Sequence, residues 1–285
     1  MVSKIGTPHL GTNSLEYCKV PWRRERMKKV IIATLGAVLL TTASANAQWA
    51  SLKGQFLYGK EGTKVPAADK LVVTKDVQVC GKYDLFNEQL TVNEENRGIA
   101  NIVLWAFKPK KSHPDYEKTA KDTVQIDNLN CRFEPHVVAV RTTQTLRVGN
   151  PDPVGHNSLI NFLKNKSVNP IIPAGGKVDF ELTKAELIPV KVSCSIHPWM
   201  QGIVLVQDHP YMAVTDEDGK FEFKNLPAGK LTIKVWHEKA GYISDLLTID
   251  GKKAKPWKKG RYSLTMADGK DEDHQYVVNP KAFAK

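Results

Sequence analysis

After residue 48 no stretch of this 285-residue chain places apolar residues at helical spacing; short apolar or alternating runs end instead at Gly, Pro, Asn and Asp. Residues 52–59 alternate, 71–74 form a short apolar run, and 98–107 are almost wholly apolar, as a strand lying in a core would be. Residues 108–121 are charged, hold two prolines and read as a surface loop. Further strands are expected at 131–140, 144–149, 177–182, 190–194 and 202–206. The pattern specifies an all-β chain, and its length allows two domains with cores of their own.

Between the last two of those runs lies Val192-Ser-Cys194-Ser-Ile-His197-Pro-Trp-Met200, which packs a thiol, an imidazole and a thioether into seven residues. Soft sulfur ligands beside imidazole select copper, and two His and one Cys with a weak axial Met describe an electron-transfer copper centre. The second imidazole is supplied upstream by Arg147-Val-Gly-Asn-Pro-Asp-Pro-Val-Gly-His156-Asn157, a polar Gly/Pro turn that follows a strand. In these residues the chain resembles the type 1 copper proteins, the cupredoxins. The short Cys-x2-His-Pro-x-Met spacing is most like that of amicyanins, and His156-Asn157 matches the family's His-Asn pair.

The resemblance implies a Greek-key sandwich holding one copper ion through His156, Cys194, His197 and Met200, with Asn157 tying the two loops together. It implies further that His197 presents its ring edge to a redox partner while the other three ligands stay inside. Pro198 and Trp199 are a candidate docking surface, and Trp199 reads equally well as core filler. Gly155 and Ser158 flank the His-Asn pair where many relatives carry bulkier residues, a departure that bears on solvent shielding. Among the other histidines, His136, His209, His237 and His274 could build a second metal site, but none has another His at ligand spacing in its own segment. His136, near Cys131, is the best candidate for a supporting role.

The N-terminal region sets the compartment. From Met27 a positively charged start runs into a short apolar stretch, and Ala45-Asn-Ala47 offers a cleavage site before Gln48, the pattern of a secretory signal peptide. Arg23-Arg24 raises the twin-arginine route, but Arg26 stands where that signal usually has an apolar residue, so ordinary secretion is expected. Removing residues 1–47 lowers Lys plus Arg from 41 to 34 and Asp plus Glu from 30 to 28, so the net charge falls from +11 to +6. A periplasmic or secreted protein with that charge and no nucleic-acid module is not expected to bind nucleic acid, and the mature chain has no membrane-spanning run. Lysines at 252–259 and Arg261 could meet an acidic partner or membrane surface. With Cys18 in the leader and Cys194 on the metal, Cys80 and Cys131 are left to pair as a disulfide.

A second recognisable text runs from Val214 to His237: strand, Asp-Gly turn, strand, Pro-x-Gly turn, strand. It resembles the second half of the carboxypeptidase regulatory-like domains, small transthyretin-like sandwiches. So short a piece cannot bury a core alone. The expected organisation is therefore a leader at 1–47, half of this sandwich at 48–120, the cupredoxin at 121–208 inserted into it, the second half at 209–250, and a basic tail at 251–285. Proteins of similar arrangement are called methylamine-utilisation-like, which says nothing of substrate. No Cys-x-x-Cys-His for haem, no Cys-x3-Cys pair and no His-x-His pair occurs, so a one-electron carrier is expected rather than an enzyme. The alternatives are a structural or interaction module with a vestigial site, and copper storage or delivery.

Overall fold

The computed structural model describes residues 49–284; the leader, the signal peptide with its cleavage site and Cys18 lie outside them. In chain order the strands are β1 (Trp49–Tyr58), β2 (Val103–Ala106), β3 (Thr123–Leu129), β4 (Arg132–Glu134), β5 (Val137–Arg141), β6 (Thr145–Gly149), β7 (His156–Asn157), β8 (Leu159–Ile160), β9 (Ile171–Ile172), β10 (Lys177–Glu181), β11 (Val190–Ser193) and β12 (Gln201–Gln207). They continue as β13 (Met212–Val214), β14 (Lys220–Pro227), β15 (Gly229–His237), β16 (Gly241–Tyr242), β17 (Leu246–Ile249), β18 (Lys252–Lys253), β19 (Arg261–Met266) and β20 (Glu272–Val278). Among the described residues the α-helix is the single turn α1 (Val77–Cys80), and no helix is long and apolar enough to cross a membrane. The protein is all-β, as the strand-like runs predict.

Two sandwiches share this chain. The first joins the sheet β14-β1-β20-β17-β18 to the sheet β13-β2-β15-β16, with β19 alongside β15. Between them lies a core that includes Leu52, Phe56, Leu104, Phe223, Ile233, Val235 and Tyr276. The second joins β10-β6-β3-β4 to β5-β12-β11-β8 around Ile126, Phe133, Val138, Leu146, Val192 and Val204. The strand around β2 and the strand β15 pair directly, Leu104 opposite Val235 and Trp105 opposite Lys234.

The near-continuous apolar runs at 98–107 and 202–206 have one explanation. In β2, Leu104 and Ala106 enter the first core, while Val103 and Trp105 face the other way into a third cluster with Ile203 and Leu205 of β12. In β12, Val204 and Val206 enter the second core. Each strand is thus covered on both faces, which removes the alternation a half-exposed strand shows. Full burial of such side chains is worth roughly 1.5–3 kcal/mol each before chain entropy is counted.

Two expected boundaries are corrected. Residues 251–285 are not a tail: β20 lies between β1 and β17, parallel to β1 with Phe56 opposite Tyr276, and Tyr276 and Val278 are in the first core. The acidic run that precedes Tyr276 masks the one apolar face of that strand. Nor does the whole of 48–120 belong to the first sandwich, since Cys80 and Leu85 are buried in the second core and Leu71 and Val73 pack against it.

His136 pins the two sandwiches instead of supporting a metal. It precedes β5, and its Nε2 lies 2.9 Å from a carboxylate oxygen of Glu238, just past β15, with Glu88 at 3.7 Å from Nδ1. Burial disfavours the charged imidazole, yet the hydrogen bond to Glu238 and the nearby charges of Glu238 and Glu88 outweigh it and push the pKa up to about 9. A His raised in the folded state contributes stability that is complete below about pH 6.5 and is lost as pH rises through the folded value. Chemical denaturation should therefore show the wild type losing on the order of 3 kcal/mol between about pH 6.5 and 9.5 relative to His136→Gln, whose stability should lack that slope.

Candidate metal centre

Both turns that carry the predicted ligands open at one end of the second sandwich. The loop from Cys194 to Met200 is the connection of the antiparallel hairpin β11–β12, closed by the pairing of Ser193 with Gln201. Within it the Cys194 N–H donates to the Met200 carbonyl at 3.2 Å and the Met200 N–H to the His197 carbonyl at 2.9 Å. The other turn follows β6 and ends in β7, which pairs with β9 so that His156 lies opposite Ile172. Here Asn150 organises the backbone, its side-chain amide donating to the carbonyls of Val154 at 2.9 Å and Ile172 at 2.8 Å.

Asn157 joins the two turns. Its carboxamide oxygen accepts from the N–H of Ser195 at 2.8 Å and of Ile196 at 3.2 Å, and its own N–H donates to the Cys194 sulfur at 3.5 Å. Its amide group also donates to Asn169 Oδ1 at 2.6 Å. The expected role of this residue as the tie between the loops thus has a direct hydrogen-bond basis.

His156 Nδ1 lies 3.9 Å and His197 Nδ1 3.7 Å from Cys194 Sγ, and the two ring centroids are 4.5 Å apart. For a first-row ion such as zinc, bonds of about 2.3 Å to sulfur and about 2.0 Å to nitrogen at 120° require sulfur and nitrogen about 3.7 Å apart. The three side chains therefore fit one metal ion between them. Met200, buried in the same core as Cys194, adds a thioether to the neighbourhood. His156 and His197 have no exposed surface, and Cys194 and Met200 almost none. The small neighbours Gly155 and Ser158 leave no opening at His156, and Ser158 is itself buried.

The electrostatics favour a thiolate and move the two rings in opposite directions. Burial alone would raise the Cys194 thiol, but hydrogen bonds from His156 and the Asn157 amide bring it below its ordinary value. Burial holds His197 below its usual pKa, and the adjacent His156 adds to this. His156 moves the other way: burial works against its charge, but Asp152 and the Cys194 sulfur outweigh that. Its Nε2 donates to Asp152 Oδ2 at 2.9 Å, and the Nε2 of His197 lies 2.7 Å from Asp76 Oδ2. A carboxylate can only accept, so each Nε2 carries a proton, and in each ring Nδ1 is the nitrogen turned toward the sulfur.

The burial of His197 corrects one expectation: its ring edge does not face outward, because Asp76, just before α1, covers it. Asp76 and Asp152 are the two site residues that sequence reasoning missed. Asp152 had a signal, lying four residues before His156 in the same polar turn. Asp76 had none, being 121 residues from its partner. Pro198 is exposed, whereas Trp199 is half-buried, with its ring 5.3 Å from that of His197 and its Nε1–H donating to the Cys131 carbonyl at 3.1 Å. Cys80 and Cys131 form a disulfide with a sequence separation of 51, as the cysteine count predicts. Among the described residues a second grouping of ligating side chains, Cys131, Asp152 and His156, shares His156 with the first and uses a sulfur already in that bridge.

No family model and no curated protein sequence matches the chain. Among solved structures it is similar to the copper-containing nitrite reductase from Thermus scotoductus SA-01, at 22% identity over 30% of this chain and 22% of that one, with a TM-score of 0.27. A reduced Cu(I) form of an amicyanin mutant is similar at 22% identity over 30% of this chain and 81% of its own, also at 0.27. A purple cupredoxin from Nitrosopumilus maritimus is similar at 24% identity over 29% of this chain and 98% of its own, at 0.25. At TM-scores this low the chemistry has to be read from the side chains themselves.

Removing the tie between the loops should loosen the centre without unfolding the sheets. Asn157→Ala leaves the Ser195 and Ile196 amides without their acceptor and is expected to cost about 2 kcal/mol in denaturant unfolding. Metal affinity measured by chelator competition should fall roughly 10- to 100-fold.

Proposed function

We propose that this protein is an exported carrier of single electrons that holds one copper ion through His156, Cys194, His197 and Met200. The observation that supports this most directly is the convergence of two imidazole Nδ1 atoms on one buried thiol whose pKa is lowered. Thiolate, thioether and two imidazoles form a donor set that favours copper among the common metals. Bound copper supplies a one-electron couple between its cupric and cuprous states.

The chain's own contribution is rigidity. Cys194 and His197 stand on the β11–β12 hairpin, His156 on β7, and Asn157 bonds one turn to the other, so the donor atoms keep their places whatever the charge between them. Enclosure argues against storage or delivery, which would need ligands open to exchange. A purely structural module has no use for a thiol held below its ordinary pKa by the His156 ring and the backbone amides of Asn157, His197 and Ile196. We read the copper-binding sandwich as an insertion in the first one, and the first as a regulatory-like domain that presents it.

Docking is assigned to the end that carries the ligand loop. Ile196 and Pro198 of that loop are exposed, as are Val77 beside Asp76 and Ile171 opposite Asn157. The half-buried Trp199, packed on His197, leads from that face toward the sulfur. The partner is a redox protein, and the basic excess of the exported chain favours an acidic one.

Adding copper(II) to the metal-free protein should produce an intense visible thiolate-to-metal absorption that disappears on reversible reduction. Cys194→Ser should abolish the band. Met200→Gln should retain the fold and the band while shifting the reduction potential, because the axial donor tunes potential more than stability. A protein that gives no such band and cannot be reversibly reduced is not a carrier, and the interaction-module reading then replaces this one.

A further inference from the structure

The cover over His197 comes from outside both ligand turns. Asp76 Oδ2 lies 2.7 Å from His197 Nε2, and the Asp76 residue itself sits in the left-handed region, φ 45° and ψ 43°, at the start of α1. Its carbonyl accepts from the N–H groups of Val79 and Cys80, each at 2.8 Å. A four-residue helix gains too few hydrogen bonds to persist alone. A non-glycine residue with positive φ likewise needs its surroundings to hold it.

The anchor is Cys80, at the other end of that turn, fully buried and bonded to Cys131. Cys131 is in turn fixed from three sides. Its N–H donates to Asp152 Oδ2 at 2.8 Å, its carbonyl accepts from Trp199, and its sulfur holds Cys80. Asp152 is the same carboxylate that holds His156. One covalent bridge therefore links the support of His156 to the turn that supports His197.

We infer that Asp76 is the positioning residue of His197, and that the Cys80–Cys131 disulfide serves the metal centre by holding the Asp76 turn over that ring. This rests on the copper reading only for its use; the placement of the ring rests on the contact between Asp76 and His197. Asp76 fixes which nitrogen of His197 carries the proton, aims the other at Cys194, and covers the outer nitrogen of the ring. His156 has the same support built into its own turn and does not depend on the bridge.

The test uses metal-free full-length protein treated with diethyl pyrocarbonate, with modification of each His mapped by mass spectrometry. His197 and His156 should both be protected in the wild type. In Asp76→Ala and in the Cys80→Ser/Cys131→Ser double variant His197 should react at least tenfold faster while His156 stays protected. Asp76→Asn, which keeps an acceptor oxygen, should restore most of the protection. Copper affinity by chelator competition should fall roughly 10- to 100-fold in Asp76→Ala and less in Asp76→Asn. If the double variant does not fold, the two Asp76 variants decide alone. Unchanged protection of His197 in Asp76→Ala, or equal exposure of His156, overturns the proposal even if the copper band is present. Selective exposure of His197 in a protein that forms no copper band upholds the positioning role and removes the carrier reading instead.

Discussion

The pairing of Ser193 with Gln201 sets the mouth of the ligand loop, and the rest of the centre depends on it. A hairpin closed at that register leaves seven residues to turn the chain, and Cys194 and Met200 stand at the two ends of the gap. Because side chains alternate along a strand, a one-residue slip would send Val192 and Val204 out of the second core along with the ligands. The register is held by β12, whose two faces are covered by different sandwiches. The same burial that makes β12 a structural axis thus fixes the distance between a thiol and an imidazole three residues apart.

What surrounds the donors is as ordered as the donors. A buried ring beside a buried thiol would be a poor bargain electrostatically if its outer nitrogen were left without a partner. Here each outer nitrogen meets a carboxylate, and Asp152 in addition accepts the amides of Asn130 and Cys131. Burial works to raise the Asp152 carboxyl, but the His156 ring and those two amides hold it below its usual range. The charge placed around the donors is therefore spread over hydrogen bonds to backbone that the β3–β4 turn supplies.

Much of the centre was legible because its chemistry is local in sequence. Cys194, His197 and Met200 fall within one turn, and His156 with Asn157 falls at the end of a strand followed by Gly and Pro. The disulfide followed from counting once Cys194 was set aside. Asp76 was not legible, since a lone Asp in an irregular stretch has no periodicity that points 121 residues downstream. The strand β20 was missed for a related reason: Glu272, Asp273 and His274 look like a solvated tail until Tyr276 is placed opposite Phe56. The apolar runs announced burial, but not that β2 and β12 would meet back to back. That contact depends on the outward faces of two sheets, which no single segment encodes.

The parallel pairing of β1 with β20 has a consequence for the order in which the exported chain folds. The central strand of the five-stranded sheet lies more than two hundred residues after β1 in the chain, so that sheet stays open along one side of β1 until the C-terminal strands join it, while the second sandwich needs none of them. Residues 123–207 hold every strand of the second sandwich, and Cys80 precedes all of them in the chain. The second sandwich can therefore assemble its ligand turns and the Cys80–Cys131 bridge from one continuous stretch of chain, whereas the first cannot close until its last strand is in place.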